Sequence, residues 1–292
     1  MKPGASPPTS TTLPIVLVPV GTDEQALDAC LASLDQCTPA GTRVWLADDA
    51  QAGPRASAII EAWLARTRLQ AAHTRRASSI GEAAHLDEAL RACATADVAV
   101  VASDAQVTPG WLQQMVACLA RDPKAATATP WSNAGEAAAW PRIGEISDIT
   151  DTPARLSAAC AHLPATEPEL PSAVSHAVLI RGEARLRAGG LDAHSYRSWY
   201  AALIDLSLRV SGLGWRNVLC ANTFVLRADE GSPCDGDMDR LSVRWPGWHA
   251  RLAGFLMQDP LHGLRASLAT ELAQVDTASA QRDLFGDATK AK

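Results

Sequence analysis

The sequence predicts an α/β protein: a mostly parallel sheet flanked by helices, with a helical extension at its C-terminal end. Three observations carry this. Strand-sized apolar runs alternate with helix-period segments from Leu13 to Asp122. Those runs are nearly continuous, as strands need to be when both sheet faces are covered. At 292 residues, 47% hydrophobic and 20% charged, the chain can bury one large core.

"PIVLVPV" is the first strand. Thr22 stands as the N-cap of the helix that follows, in which Leu27, Cys30, Leu31 and Leu34 form an apolar stripe. "TRVWLADD" is the second strand, followed by a helix from about Pro54 to Arg66 with proline in its first turn. "RLQAAH" gives a short third strand, Ile80 to Thr95 a helix, and "DVAVVASD" the fourth strand. "TPGWLQQMVACLARD" reads as a helix capped by Thr108. This order implies right-handed crossovers within one open sheet.

After "AATATPWS" the pattern loosens, and Asn133 to Ser172 reads as loop with one short helix. "AVLIR", a helix from Trp199 to Ser211, and "WRNVLCANTFVLR" restore regular structure. The expected organisation is a tail over 1–12, a main domain over 13–238 with halves 13–132 and 133–238, and a helical extension with a frayed end over 239–292.

Several classes are disfavoured. Residues 1–12 lack the apolar core of a secretory leader, and no run approaches the roughly 18 apolar residues of a membrane span. A net charge of −6 with scattered basic residues argues against a nucleic-acid partner. Seven cysteines without a paired CxxC spacing argue against a zinc site and fit a reducing cytoplasm.

Asp48 and Asp49 end the second strand and Asp104 the fourth, so both strands deliver carboxylates to one edge, where open α/β sheets form clefts. Several segments, in order from Pro14 to Ser232, resemble the family 2 glycosyltransferases of GT-A fold. They are "IVLVPVGTDEQALDACLASL", "VWLADDAQ", "VVASDAQVTPGWLQQMVACLARDPKAATATPWSN", "VLIRGEARLRAGGLD" and "DLSLRVSGLGWRNVLCANTFV".

The resemblance implies transfer of a sugar from a UDP- or dTDP-type donor to a saccharide or glycoconjugate acceptor, with inversion, in surface polysaccharide assembly. It implies that Pro19, Asp48, Asp49, Ser103 and Asp104 form the nucleotide site, and that Asp104 holds Mg or Mn. It also exposes departures. Ala102 stands where the family has an acid or asparagine, Ala202 and Leu203 where it has an acidic pair, and Arg227 where a histidine is frequent. The alternative is therefore a catalytically silent relative that binds nucleotide sugar or glycan, or scaffolds an active partner.

Arg227 can bind a diphosphate, because guanidinium stays charged and grips phosphate in a fork; it can equally pair with Asp229 or Glu230 at the surface. The catalytic candidates are Asp205 and Glu230. Asp205 also stands four residues before Arg209, the spacing of a helix ion pair. Trp131 and Trp199 are candidates for stacking on the acceptor sugar. His73, His85 and His176 have no ligand spacing. The extension after Met238 is a candidate docking surface for a protein partner.

Overall fold

The computed structural model describes residues 13–286, with side chains to Val275. The tail expected over 1–12 and the last six residues lie outside the described residues.

The chain runs β1 (Ile15–Pro19), α1 (Glu24–Cys37), β2 (Arg43–Asp48), α2 (Pro54–Leu64), β3 (Gln70–Arg75), α3 (Glu82–Ala92) and β4 (Val98–Val101). It continues through β5 (Ala105–Val107), α4 (Trp111–Arg121), β6 (Ala125–Trp131), α5 (Pro153–Ala161), β7 (Ala177–Ile180) and α6 (Gly182–Arg187). α7 (Trp199–Gly212), β8 (Arg216–Arg227), α8 (Asp237–Arg244), α9 (Trp248–Gln258) and α10 (His262–Gly286) complete it. A single 3-10 turn covers Glu136–Ala138.

The eight strands form one sheet in the order β3-β2-β1-β4-β7-β6-β8-β5. β1 pairs in parallel with β2 and β4, and β2 with β3. β7 is antiparallel to both β4 and β6, so the sheet is mixed at its centre. The halves expected at 13–132 and 133–238 therefore share one sheet. The adjacent strands β1, of five residues, and β4, of four, are apolar on both faces because helices cover both. Leu27, Ile60 and Met115 of α1, α2 and α4 pack on one face, and Leu86, Ala184 and Leu203 of α3, α6 and α7 on the other.

Local details differ from expectation. Asp23, not Thr22, caps α1, its Oδ1 accepting from the N–H groups of Gln25 and Ala26 at 2.9 and 3.0 Å. α4 starts at Trp111 after Gly110 in the left-handed region (φ 77°), and Thr108 instead donates its hydroxyl to the Phe224 carbonyl.

The extension folds onto its own domain. Leu261, Leu268 and Leu272 join Trp131, Trp140, Leu156 and Phe224 in a third core cluster, and Leu241 and Trp248 join the α7 face. These apolar side chains are covered within the chain, while Val243 and Met257 of the extension remain exposed. Among the described residues, no helix is long and apolar enough to cross a membrane.

Candidate active site at the carboxyl edge of the sheet

A cleft of about 470 Å³ opens where β1, β2 and β4 end. Pro19 and Gly21 follow β1, Asp49 and Gln51 follow β2, and Ser103 and Asp104 follow β4. Gly81, Glu82 and His85 line it from α3, Trp199 from α7 and Arg227 from β8. The parallel pairing of Pro19 with Ala47 and of Leu17 with Val100 brings the strand ends level, which is why sequence-distant loops meet here.

Gly21 is required by close approach. Its N–H donates to Ser103 Oγ at 2.9 Å, and a Cβ at this position would lie 2.7 Å from that oxygen. The bond ties the β1 and β4 loops across the cleft floor.

Asp49 lines the cleft and anchors its rim. It accepts from Ser79 Oγ at 2.6 Å, from the Gly81 N–H at 2.9 Å, and from the Ile80 N–H at 3.0 and 3.1 Å. Burial raises its carboxyl, but these hydrogen bonds outweigh burial and hold it below the ordinary carboxylate range. Asp48 is a correction. It is fully buried and absent from the cleft lining. Its Oδ1 accepts from the N–H groups of Gln51 and Ala52, and Arg75 Nη1 lies 3.1 Å from Oδ2. The β2–α2 turn consumes it.

Asp104 and Arg227 meet at the other end. Ala105 is the antiparallel partner of Arg227 in the β5–β8 pair, so the ladder register itself sets the two side chains together. Arg227 Nε lies 2.9 Å from both Asp104 oxygens, and Nη1 donates to Ser175 Oγ at 3.2 Å. The Arg227 main chain is clamped by Asn133, which accepts from its N–H and donates to its carbonyl, each at 2.8 Å. Neither of the surface partners considered, Asp229 and Glu230, is the carboxylate that holds it.

The acceptor side changes most relative to expectation. Asp205 is fully buried. It accepts from Arg209 Nε at 2.7 Å and Trp245 Nε1 at 2.9 Å, with Arg244 Nε at 3.3 Å. It fastens α7 to the extension and does not line the cleft, which corrects its candidacy as a base. Trp131 is likewise fully buried, beneath the Arg265 guanidinium at 5.4 Å, so it offers no face to a sugar. Trp199 does line the cleft. Ala202 and Leu203 are packed in the core, so no acid replaces the expected pair on α7 itself. His176 is core, its Nε2 3.0 Å from the Pro130 carbonyl, with burial lowering its pKa to about 3.

Two carboxylates escaped the sequence reading. Glu82 of α3 accepts the Trp199 N–H at 2.7 Å through Oε2 and so caps α7 from another helix. Glu136 stands on the 3-10 turn at φ 46°, a left-handed conformation that costs a non-glycine residue energy. Burial raises its carboxyl to about 7; a Tyr200 hydrogen bond and Arg227 oppose the rise, and Glu230 adds to it. Glu230 therefore stands within electrostatic reach of Glu136, and neither is among the residues that line the cleft. Glu136 stands in "GEAAAW", where no spacing or periodicity marks it.

The family model described as Glycosyl transferase family 2 matches residues 15–162. Comparison with curated proteins gives no match. Among solved structures, the chain resembles the mannosyltransferase PcManGT from Pyrobaculum calidifontis in complex with GDP-Man and Mn2+. The TM-score is 0.58 at 17% identity, over 98% of this chain and 83% of that one. It resembles GalNAc-T7 with UDP, GalNAc and Mn2+ at TM-score 0.57 and 13% identity, over 89% of this chain and 55% of that one. It resembles S. aureus TarS 1-349 in complex with UDP-GlcNAc at 0.53 and 14%, over 83% and 71%. At these identities the likeness shows the GT-A fold; the chain spans little more than half of GalNAc-T7.

Two of these structures hold Mn2+. The residues here do not suit such an ion. Ala102 offers a methyl group, Asp104 is engaged by a fixed cation, and among the described residues no three His, Cys, Asp or Glu side chains gather as a metal site.

Proposed function

The chain belongs to glycosyl transferase family 2, and from that premise we propose that it transfers a sugar from a nucleoside-diphosphate donor to a saccharide or glycoconjugate acceptor with inversion, in surface polysaccharide assembly. The carrying observation is the lining of the cleft, in which Pro19 and Asp49 from the ends of β1 and β2 share one cavity with Arg227 of β8 and Trp199 of α7. Among the described residues the Ile80 N–H is the one hydrogen-bond donor to Asp49 Oδ1, with Arg76 Nε 3.9 Å away, which leaves a lone pair for the imide N–H of a uracil or thymine ring. Arg227, in the same lining, is the cation available to the diphosphate. Seven free cysteines support a reducing compartment, which we read as the cytoplasm.

In the reaction, the acceptor oxygen attacks the anomeric carbon, the bond from that carbon to the diphosphate oxygen breaks, and the acceptor proton goes to a base. Glu136 is our candidate for that base. Glu136 is not itself a lining residue of the cleft, but it is hydrogen-bonded to Tyr200 and interacts electrostatically with Arg227, which does line it, and a carboxyl at about 7 accepts a proton effectively near neutrality. Its strained turn is held by the extension, since Arg265 donates to the carbonyls of Ala137 and Ala139 at 3.0 and 2.7 Å.

The apolar burial of Ala202 and Leu203 favours a second reading, a silent protein that binds the nucleotide sugar without turnover. One experiment separates the two. Thermal midpoints with UDP-, dTDP- and GDP-sugars report binding, and donor hydrolysis or transfer reports turnover. A raised midpoint with turnover supports the enzyme, a raised midpoint alone supports the silent relative, and no shift with any donor contradicts both.

A further inference from the structure

We propose that Arg227 takes the place of a divalent metal: it is the cation that binds the donor's diphosphate, and the cleft takes its nucleotide without a metal ion. The proposal rests on the nucleoside-diphosphate reading above.

A diphosphate brings at least two negative charges into a cleft whose lining carries Asp23, Asp49, Glu82 and Asp104. Three of these acids are already offset by main-chain N–H groups. Asp23 caps α1, Asp49 accepts from Ile80 and Gly81 at the start of α3, and Glu82 accepts from Trp199 at the start of α7. The fourth, Asp104, is held by Arg227. Among the described residues, Arg227 is the only fixed cation in the cleft lining.

An ion seated on Asp104 would share its oxygens with a guanidinium nitrogen that already lies 2.9 Å from each of them, and two cations on one carboxylate repel. Guanidinium cannot lose its proton to become a ligand, as imidazole can. The same geometry suits a phosphate. Asp104 fixes the Nε edge, Ser175 takes one hydrogen of Nη1, and Nη2 has no hydrogen-bond partner among the described residues. The free edge is preorganised for phosphate oxygens, a fork that guanidinium makes and ammonium does not. Asp104 is thus a positioning residue for Arg227. Gly231 on the following loop leaves room for this arrangement, since a Cβ there would lie 2.3 Å from Ser175 Oγ and 3.3 Å from Arg227 Nη1.

The test is calorimetric titration of the full chain with UDP, dTDP, GDP and uridine, in EDTA and again with Mn2+, and with Mn2+ alone. The expected result is that the preferred nucleoside diphosphate binds within about twofold in the two buffers, and that uridine binds at least about tenfold more weakly than UDP in EDTA if UDP is preferred. Arg227→Ala should lose about tenfold or more for the diphosphate, and Arg227→Lys should recover only part of it. Circular dichroism checks that the variants are folded; the unaltered chain alone still decides the metal question. Binding that needs Mn2+, or stoichiometric Mn2+ binding without nucleotide, overturns this proposal and leaves the nucleotide-sugar reading standing. Absence of binding by any diphosphate in either buffer overturns both.

Discussion

Arg265 donates its guanidinium to the carbonyl of Ala137 at 3.0 Å, so a residue of the C-terminal extension holds the turn on which Glu136 stands. The extension is part of the site's support: the same side chain donates to Ala139, pairs with Asp259 and covers Trp131.

Arg265→Ala should therefore act in two ways. Removing the buried guanidinium leaves the Ala137 and Ala139 carbonyls without their donor and Asp259, among the described residues, with only His262 nearby, at a cost of about 1–3 kcal/mol. A urea melt should show the lost stability. In the fraction that stays folded, transfer should fall because the turn is no longer constrained, while donor binding should change little, since Asp49 and Arg227 stand on other elements.

Glu136 gives the account a pH signature. As base it must be ionised, so kcat should rise with pH through about 7 and flatten above it. Glu136→Gln should abolish that limb and lower kcat by about 10²–10⁴ with donor affinity kept. Stability should move oppositely. The folded state holds this proton more tightly than the unfolded chain, so the stabilisation is full below about 4.5 and is lost as pH rises through about 7. Glu136→Gln escapes the loss, and its melting temperature relative to the unaltered chain should be higher at about pH 8 than at about pH 4.

The Gly21–Ser103 contact should show as non-additivity. Gly21→Ala pushes a methyl group against Ser103 Oγ and should cost about 1–3 kcal/mol together with nucleotide affinity. Ser103→Ala removes the obstructing oxygen, so the double variant should be more stable than the sum of the single effects. Strict additivity in thermal melts would place the strain elsewhere.

Asp205 separates support from chemistry. Asp205→Ala leaves Arg209 of the same helix without its carboxylate, uncouples α7 from Arg244 and Trp245, and should destabilise the fold by about 3–5 kcal/mol. Turnover per folded molecule should stay within about twofold. A large loss of kcat in well-folded protein would return Asp205 to the reaction.

Much of this frame was legible from local pattern. β1, β2 and β4 announce themselves as apolar runs, and "AVLI" does so for β7. The antiparallel placing of β7 between β4 and β6 does not, because strand order is set by pairing between segments far apart in sequence. β6 was not read as a strand, since "AATATPW" is small and contains proline; its seven residues are buried by their neighbours rather than by their own hydrophobicity.

The site divides the same way. Asp104 and Arg227 stood out by position, but their contact across 123 residues needed the β5–β8 register. Asp205 carried its partner in its own spacing, Arg209 four residues on, and that local signal proved the better guide. Glu136 carried none, because its importance comes from a turn, a buried environment and an arginine 129 positions later.

The most direct measurement is a crystal structure of the full chain grown with UDP or its preferred nucleoside diphosphate in EDTA. The expected electron density has the base against Pro19 and Asp49 and the terminal phosphate on the free edge of Arg227, with Asp104 still holding Nε. An empty cleft, or a nucleotide seated elsewhere on the molecule under conditions where calorimetry shows saturation, would contradict the account.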